Sequence, residues 1–581
     1  MADLPELISA RLRPAFASVA ESVLGPGVEI DPVLRRSDHA DYQADAALAL
    51  ARTLKQAPRA IAEQVLAAAD LSGLISSAEI AGPGFINLTV GDAALASVIT
   101  GMDNDGVGVA LAPAQTVVVD YSGPNVAKEM HAGHLRSTII GDAVVRVLTF
   151  LGHDVIKQNH LGDWGTQFGM LIEYLADQGI DAHTSDFHVG DLNNLYQQAK
   201  VAFDADPAFA DRARLRVVAL QSGDPVTLAL WTLLVAESER HFEDVYARLG
   251  VLLTHDDLAG ESSYNDMLPE VADELAEKGL LVPSDGAMCV FPEGFTGRDG
   301  GPLPLIVRKR DGGYGYATTD LAAIRHRFVE LDADRALYVI DNSQQLHLRM
   351  VYTSARDAGW TQNADQAVHL GFGLVLGADH KRFRSRSGDS VRLVDLLDEA
   401  VKRAEAVVSE RSRDLDAAEM ADVAQAVGIG AIKYADLSND RNRDYVLDFD
   451  QMLAMDGNTG PYLQYAHARI QSLFRRAGED VTSASLTAPI VLTEPAEHEL
   501  ALRLGEFEGV VQRTGRDLEL HKIAGYLYGL ASDFTGFYET CPVLKGTDDA
   551  TRASRLHLAG LTAKVLRTGL DLLGLQAPVR M

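Results

Sequence analysis

Residues 116–151 read TVVVDYSGPNVAKEMHAGHLRSTIIGDAVVRVLTFL, and this stretch decides the fold class. Val117 to Tyr121 is an apolar, β-branched run of the kind that forms a buried parallel strand. Ser122, Gly123, Pro124 and Asn125 break it with turn residues. Beyond the turn, Leu135, Ile139, Ala143, Val147 and Leu151 recur every fourth residue, with Ile140, Val144 and Leu148 beside them. A stripe that wide packs a helix onto a sheet. His131, Ala132, Gly133 and His134 therefore fall where a strand hands over to a helix. In an open α/β sheet that edge, with helix N-terminal amides pointing outward, is where phosphates bind. Two imidazoles three residues apart share one face there, and each can donate to a phosphate oxygen. The glycine between them lets a flat ring lie against the backbone.

Upstream, residues 1 to about 110 read as a small α+β domain. Leu7, Ile8, Leu12, Phe16, Val19 and Val23 form a helical stripe with Pro14 as a bend. Further helices are expected over Ala47–Leu54 and Ile61–Ala69, a strand at Phe85–Val90, a short helix at Asp92–Ile99 and a linker over Gly101–Pro113. Downstream, residues 114 to 405 alternate strands and helices, with Ala336–Ile340 and His369–Val375 as core strands. Between about 181 and 300 the pattern loosens into helices around Leu228–Leu249 and a Gly/Pro-rich patch at Pro292–Pro304, which reads as an insertion. From 410 to 581 the periodicity is almost wholly helical.

A chain of 581 residues exceeds one hydrophobic core, so several domains are expected. With 47% hydrophobic residues and no apolar run as long as a membrane span, it reads as globular, with no membrane partner. Asp3 and Glu6 stand where a signal peptide would carry a basic and then an apolar segment, so a cytoplasmic location is expected. Cys289 and Cys541 lie far apart with no CxxC, and neither a disulfide framework nor a structural zinc site is expected; His183 and His188 read as surface residues. The net charge of −30, taken alone, argues against a nucleic-acid partner. Charges more than about 8 Å from a contact are screened, however, so a local basic strip can hold RNA on an acidic protein. Two common nucleotide sites are disfavoured: Gly371, Gly373 and Gly377 miss the G-x-G-x-x-G spacing by one, and no Gly-Lys pair exists for a P-loop.

The run Asp120–Gly141, together with GDWGTQFG at Gly162–Gly169, resembles the arginyl-tRNA synthetases, class I aminoacyl-tRNA synthetases. The resemblance extends over nearly the whole chain, through DYQADAALALARTLKQAPRAIA and GPGFINL near the start to the terminal VRM. It implies three parts: an α+β appended domain that touches the tRNA elbow, an α/β class I (Rossmann-like) catalytic domain with an insertion, and an all-α anticodon-binding bundle. It implies ATP-dependent activation of L-arginine and transfer to the terminal 2′-hydroxyl of tRNA-Arg, with Mg²⁺ accompanying ATP and the enzyme acting as a monomer. His131, Gly133, His134 and Lys381 are then the ATP side. Asp120, Tyr316 and Asp320 read the guanidinium, a planar cation that needs carboxylates held for paired hydrogen bonds. Asn125 and Gln344 hold the α-amino end. The family often has serine where Gly123 stands, which passes one contact to Ser122 or to backbone.

His380–Gly388, HKRFRSRSG, stands where class I enzymes carry their KMSKS loop, and its crowded cations fit a clamp on leaving pyrophosphate. Phe383 replaces the methionine, and the late lysine falls at Ser385 between Arg384 and Arg386. Either those arginines or Lys128, three residues before His131, would then carry its charge. In the helical segment Tyr462, Tyr465 and Tyr538 could stack on unpaired bases or lie in the core. A tRNA-binding relative without catalysis, or a class I enzyme for another amino acid, are the rivals; both histidines, the acids and the basic loop count against them.

Overall fold

The strand after Gln115 spans Thr116–Asp120 and lies inside a four-stranded, all-parallel sheet. Asp154–Gln158 flanks it on one side and Arg335–Tyr338 on the other, with Ala367–His369 outermost. The helix follows at Ala132–Phe150, and every residue of its apolar stripe is buried. This computed structural model describes residues 3–126, 128–164, 166–180, 192–298, 300–310, 312–377, 379–381, 383, 391–411, 415–479, 488–545 and 548–581.

Strand alternation divides the central strand between two cores. Val117 and Val119 pack with Leu135 and Ile139, whereas Val118 packs with Leu321, Ile324 and Leu348 on the other face. Asp120, two residues on from Val118, belongs to that second face. The helix covering it runs from Tyr316 to Arg325 and widens at its end, where the Leu331 amide donates to the His326 carbonyl at 3.0 Å, five residues back. Such wide turns are rare within helices and are frequent near functional sites.

The run His369–Val375, read from sequence as one core strand, divides. One strand ends at His369 and another begins at Val375–Leu376, pairing in parallel with Tyr445–Val446. A Cβ on Gly373 would fall 2.7 Å from the Arg443 backbone, so the chain leaves the sheet here to pass against that loop.

The segment after Gln158 holds helices Leu192–Ala205, Pro207–Gln221 and Pro225–Leu249 and a three-stranded antiparallel sheet at Val282–Ser284, Ala287–Val290 and Leu305–Arg308. His183 and His188 lie outside the described residues. The N-terminal region is a four-stranded antiparallel sheet, in the order Leu34–Arg36, Tyr42–Ala44, Phe85–Val90, Ile75–Ala81, with helices Leu4–Leu24, Ala46–Leu54 and Pro58–Ala68 beside it. Pro14 falls inside the first helix. The C-terminal region is helical, from Gly460–Ala477 through Asp549–Leu572. It holds the N-terminal region by polar contacts: Tyr42 donates to Glu506 at 2.9 Å, and His498 bridges Asp92 and Asp41 at 2.7 and 3.0 Å. Among the described residues no single helix is long and apolar enough to cross a membrane.

Candidate active site

The carboxyl ends of three parallel strands stand in register, Tyr338 beside Asp120 and Asp120 beside Gln158. A cavity of about 550 Å³ opens at this edge, bounded by the start of the helix Ala132–Phe150. His131 caps that helix: its Nδ1 accepts from the Gly133 amide at 3.0 Å, while His134 Nδ1 accepts from the His131 amide at 3.1 Å. With both Nδ1 atoms accepting, a neutral ring carries its hydrogen on Nε2. The two rings stack with centroids 3.9 Å apart. A Cβ at position 133 would lie 2.7 Å from the His131 ring, so this ring is the one the glycine admits. Burial, reinforced by His131 and Lys128, pushes the His134 imidazole down to about 3. It is therefore a neutral donor at working pH.

Four acidic side chains, Asp120, Glu261, Asp320 and Asp341, line the same cavity, and Asp341 Oδ1 accepts from the Ser343 amide at 2.8 Å. Asp120 Oδ2 accepts from the buried Arg327 guanidinium at 2.9 Å, so one of its oxygens already has a cationic partner. Asp320 Oδ2 lies 2.6 Å from His347 Nε2. Glu261 follows Gly260 on the turn Glu261–Met267; burial, then the Asp163 and Asp320 carboxylates, push it up to about 8. At neutral pH its acid form dominates until a cation enters.

The other expected residues divide. Ser122, Gly123, Asn125 and Gln344 line the cavity. Ser122 is buried at a positive φ of 72°, with its hydroxyl 2.7 Å from that of Tyr246. Tyr316 is 66% exposed and stands off the cavity wall, its ring 4.8 Å from that of His347. Lys128 also stands off the wall, with Nζ 4.5 Å above the Tyr196 ring. Lys381 is exposed and does not line the cavity. Arg384 and Arg386 lie outside the described residues, as do Arg382 and Ser385. Phe383 and Val391, on either side of that stretch, do line the cavity. The Ala132 amide donates to the Val391 carbonyl at 2.9 Å and the Leu393 amide to that of Met130 at 2.8 Å, which ties the returning chain to the histidines. Sequence pattern does not single out Glu261, Arg327 or His347: each is one charged or polar residue in a polar or helical run, and only the fold shows that Arg327 is buried and that Glu261 and His347 are partly covered.

Residues 3–90 match the family description "Arginyl tRNA synthetase N terminal domain", residues 97–449 "tRNA synthetases class I (R), catalytic domain", and residues 463–581 "DALR anticodon binding domain". A curated relative from Thermobifida fusca, named arginine–tRNA ligase, is 54% identical over 583 residues, covering 100% of each chain. Another of that name, from Klebsiella pneumoniae subsp. pneumoniae, is 48% identical and covers 97% of this chain and 98% of its own. Among solved structures, the arginyl-tRNA synthetase of Plasmodium falciparum superposes with a TM-score of 0.83 at 28% identity, over 99% of each chain. That of Thermus thermophilus, at 24% identity and a TM-score of 0.80 over 99% of this chain and 100% of its own, shares the fold. The chain thus belongs to the arginyl-tRNA synthetase family of class I aminoacyl-tRNA synthetases.

Proposed function

We propose that this protein activates L-arginine with ATP to arginyl-adenylate and transfers the arginyl group to the 2′-hydroxyl of the terminal adenosine of tRNA-Arg. The observation that carries this is the meeting, in one cavity, of acidic side chains, Asp120, Glu261 and Asp320 among them, with two stacked imidazoles at a helix start. The arginine carboxylate attacks the α-phosphorus in line and pyrophosphate leaves, so the protein's work is positioning and charge stabilisation. His131 and His134 donate from Nε2 to phosphate oxygens, and Gly133 keeps the space between them open. Asp120, Asp320 and Glu261 receive the guanidinium, with Tyr316 closing over it from outside. Asn125, Ser122 and Gln344 hold the α-amino end. Lys381 meets ATP, and either Lys128, after leaving Tyr196, or Arg384 and Arg386 takes the charge building on pyrophosphate.

Among the described residues no three His, Cys, Asp or Glu side chains converge as a metal cage would require. Mg²⁺ would therefore be carried by the triphosphate oxygens. The proposed division is an appended tRNA-elbow domain at 1–110, a catalytic domain at 114–405 with an insertion at about 181–300, and an anticodon-binding bundle at 410–581. The change from antiparallel sheet to parallel sheet to helices supports it. Base stacking by the bundle is supported at the 39%-exposed Tyr465, whereas Tyr538 packs against the core, with Arg469 over its ring at 4.2 Å and Arg476 donating to its hydroxyl at 2.6 Å. Tyr462 faces Tyr528 at 5.8 Å. We place the protein in the cytoplasm, as a monomer. ATP–pyrophosphate exchange, run with and without tRNA-Arg, tests the reaction: it should depend on arginine and not on lysine or citrulline. Exchange supported equally by lysine would refute the assignment.

A further inference from the structure

The carboxylate that ends the central strand does not face the cavity alone. Asp120, Gln158 and Tyr338 are lateral neighbours on three adjacent strands, and Arg327 spans all three. Its Nε donates to Gln158 Oε1 at 2.7 Å, a terminal nitrogen donates to Asp120 Oδ2 at 2.9 Å, and its guanidinium carbon stands 4.7 Å from the Tyr338 ring centroid. The Arg327 side chain is 1% exposed, and unlike Asp120 and Tyr338 it is absent from the cavity wall. It lies in the widened turn at the end of the helix that also carries Asp320.

Two consequences follow from this placement. An unpinned aspartate rotates about its terminal bond and offers either oxygen; Arg327 occupies Oδ2 and leaves Oδ1 for a ligand. Four acidic side chains, Asp120, Glu261, Asp320 and Asp341, also crowd one cavity, and one internal cation lowers the net negative charge that an incoming side chain meets. We propose that Arg327 is a specificity-determining positioning residue: a guanidinium behind the cavity wall that fixes Asp120 and sets the pocket's charge to suit one planar monocation. It has this role only if the cavity takes arginine, as proposed above. Lysine could not replace it, because an ammonium cannot direct two donors at Asp120 and Gln158 while stacking on Tyr338.

The test is a double-mutant cycle on Arg327→Met and Asp120→Asn, with Arg327→Lys as the variant that keeps the charge, each assayed by arginine-dependent ATP–pyrophosphate exchange and by thermal melting. Arg327→Lys should melt cooperatively, keep its KM for ATP within about threefold and raise the KM for arginine about tenfold to hundredfold, the loss expected for a hydrogen bond to a charged group. Because Arg327 acts through Asp120, the two penalties on arginine KM should not add, and the double variant should fall within about threefold of Asp120→Asn alone. The double variant also removes both buried charges, so it stays informative if Arg327→Met does not fold. Additive penalties, an unchanged arginine KM in Arg327→Lys, or parallel losses in kcat and ATP KM would overturn the proposal. Wild-type protein without arginine-dependent exchange would overturn the arginine assignment itself, and Arg327's role with it.

Discussion

Replacing Glu261 by Gln should uncouple arginine binding from pH. Burial and the Asp163 and Asp320 carboxylates hold Glu261 up to about 8, so at pH 7 roughly nine molecules in ten carry it as the acid. A guanidinium seated beside it favours the ionised form, and binding must expel the proton. The apparent dissociation constant then carries a factor of one plus ten to the power of pKa minus pH. That factor is about 100 at pH 6, about 11 at pH 7 and close to one at pH 8.5. Titration calorimetry at pH 7, in buffers of different ionisation enthalpy, should register close to one proton released per arginine. In Glu261→Gln the release should vanish and the affinity should flatten with pH, so that the gap to wild type opens as pH rises. The same shift bears on stability. An unfolded carboxyl ionises near its ordinary pKa while the folded one holds its proton up to about 8, so stability falls as pH rises between these values. Glu261→Gln should accordingly be about 3 kcal/mol more stable than wild type at pH 7 and no more stable near pH 4. Proton release that persists in the variant, or none in the wild type, would show that another group titrates or that Glu261 does not meet the substrate.

The strand, turn and helix around the histidines were legible because period and burial coincide there: Thr116–Asp120 and Ala132–Phe150 alternate or repeat as their two cores demand. Asp120 is marked by the family resemblance; its place at the end of an apolar strand is compatible with that role but does not by itself assign it. His369–Val375 misled because an apolar run reads the same whether it continues a sheet or passes from one sheet to another. Glu261 and Arg327 could not be read at all. Each looks like a surface residue in its own segment, one amid AGESSYND and the other in IRHRF. Their burial is created by elements distant in sequence: Asp163 and Asp320 around Glu261, and Asp120 and Gln158 around Arg327. Local pattern thus locates the frame of the site, whereas the charge balance within it is set by long-range contacts.

Asp320→Asn removes a charge-assisted acceptor that His347 also holds, and should raise the arginine KM about tenfold to hundredfold while sparing the KM for ATP; citrulline should already be rejected by about 10⁴-fold in the wild type. Despite the net charge of −30, the affinity for tRNA should fall steeply between low and moderate salt, as filter binding would show, and a flat profile would exclude phosphate-led binding. The hydrogen bond to Asp41, aided by Asp92, raises the His498 pKa, so its contribution is complete below the unfolded value and is lost as pH rises through the folded one. Wild type should therefore melt above His498→Gln at pH 6 and converge with it by pH 9. Lys128 tests where transition-state charge is held, since its ammonium rests on Tyr196 and outside the cavity wall. If it swings in only as pyrophosphate leaves, Lys128→Ala should lower kcat for activation by about 10²–10³-fold with little change in ATP KM. A raised ATP KM at normal kcat would instead make Lys128 a ground-state contact, and a variant with neither change would return the charge to Arg384 and Arg386.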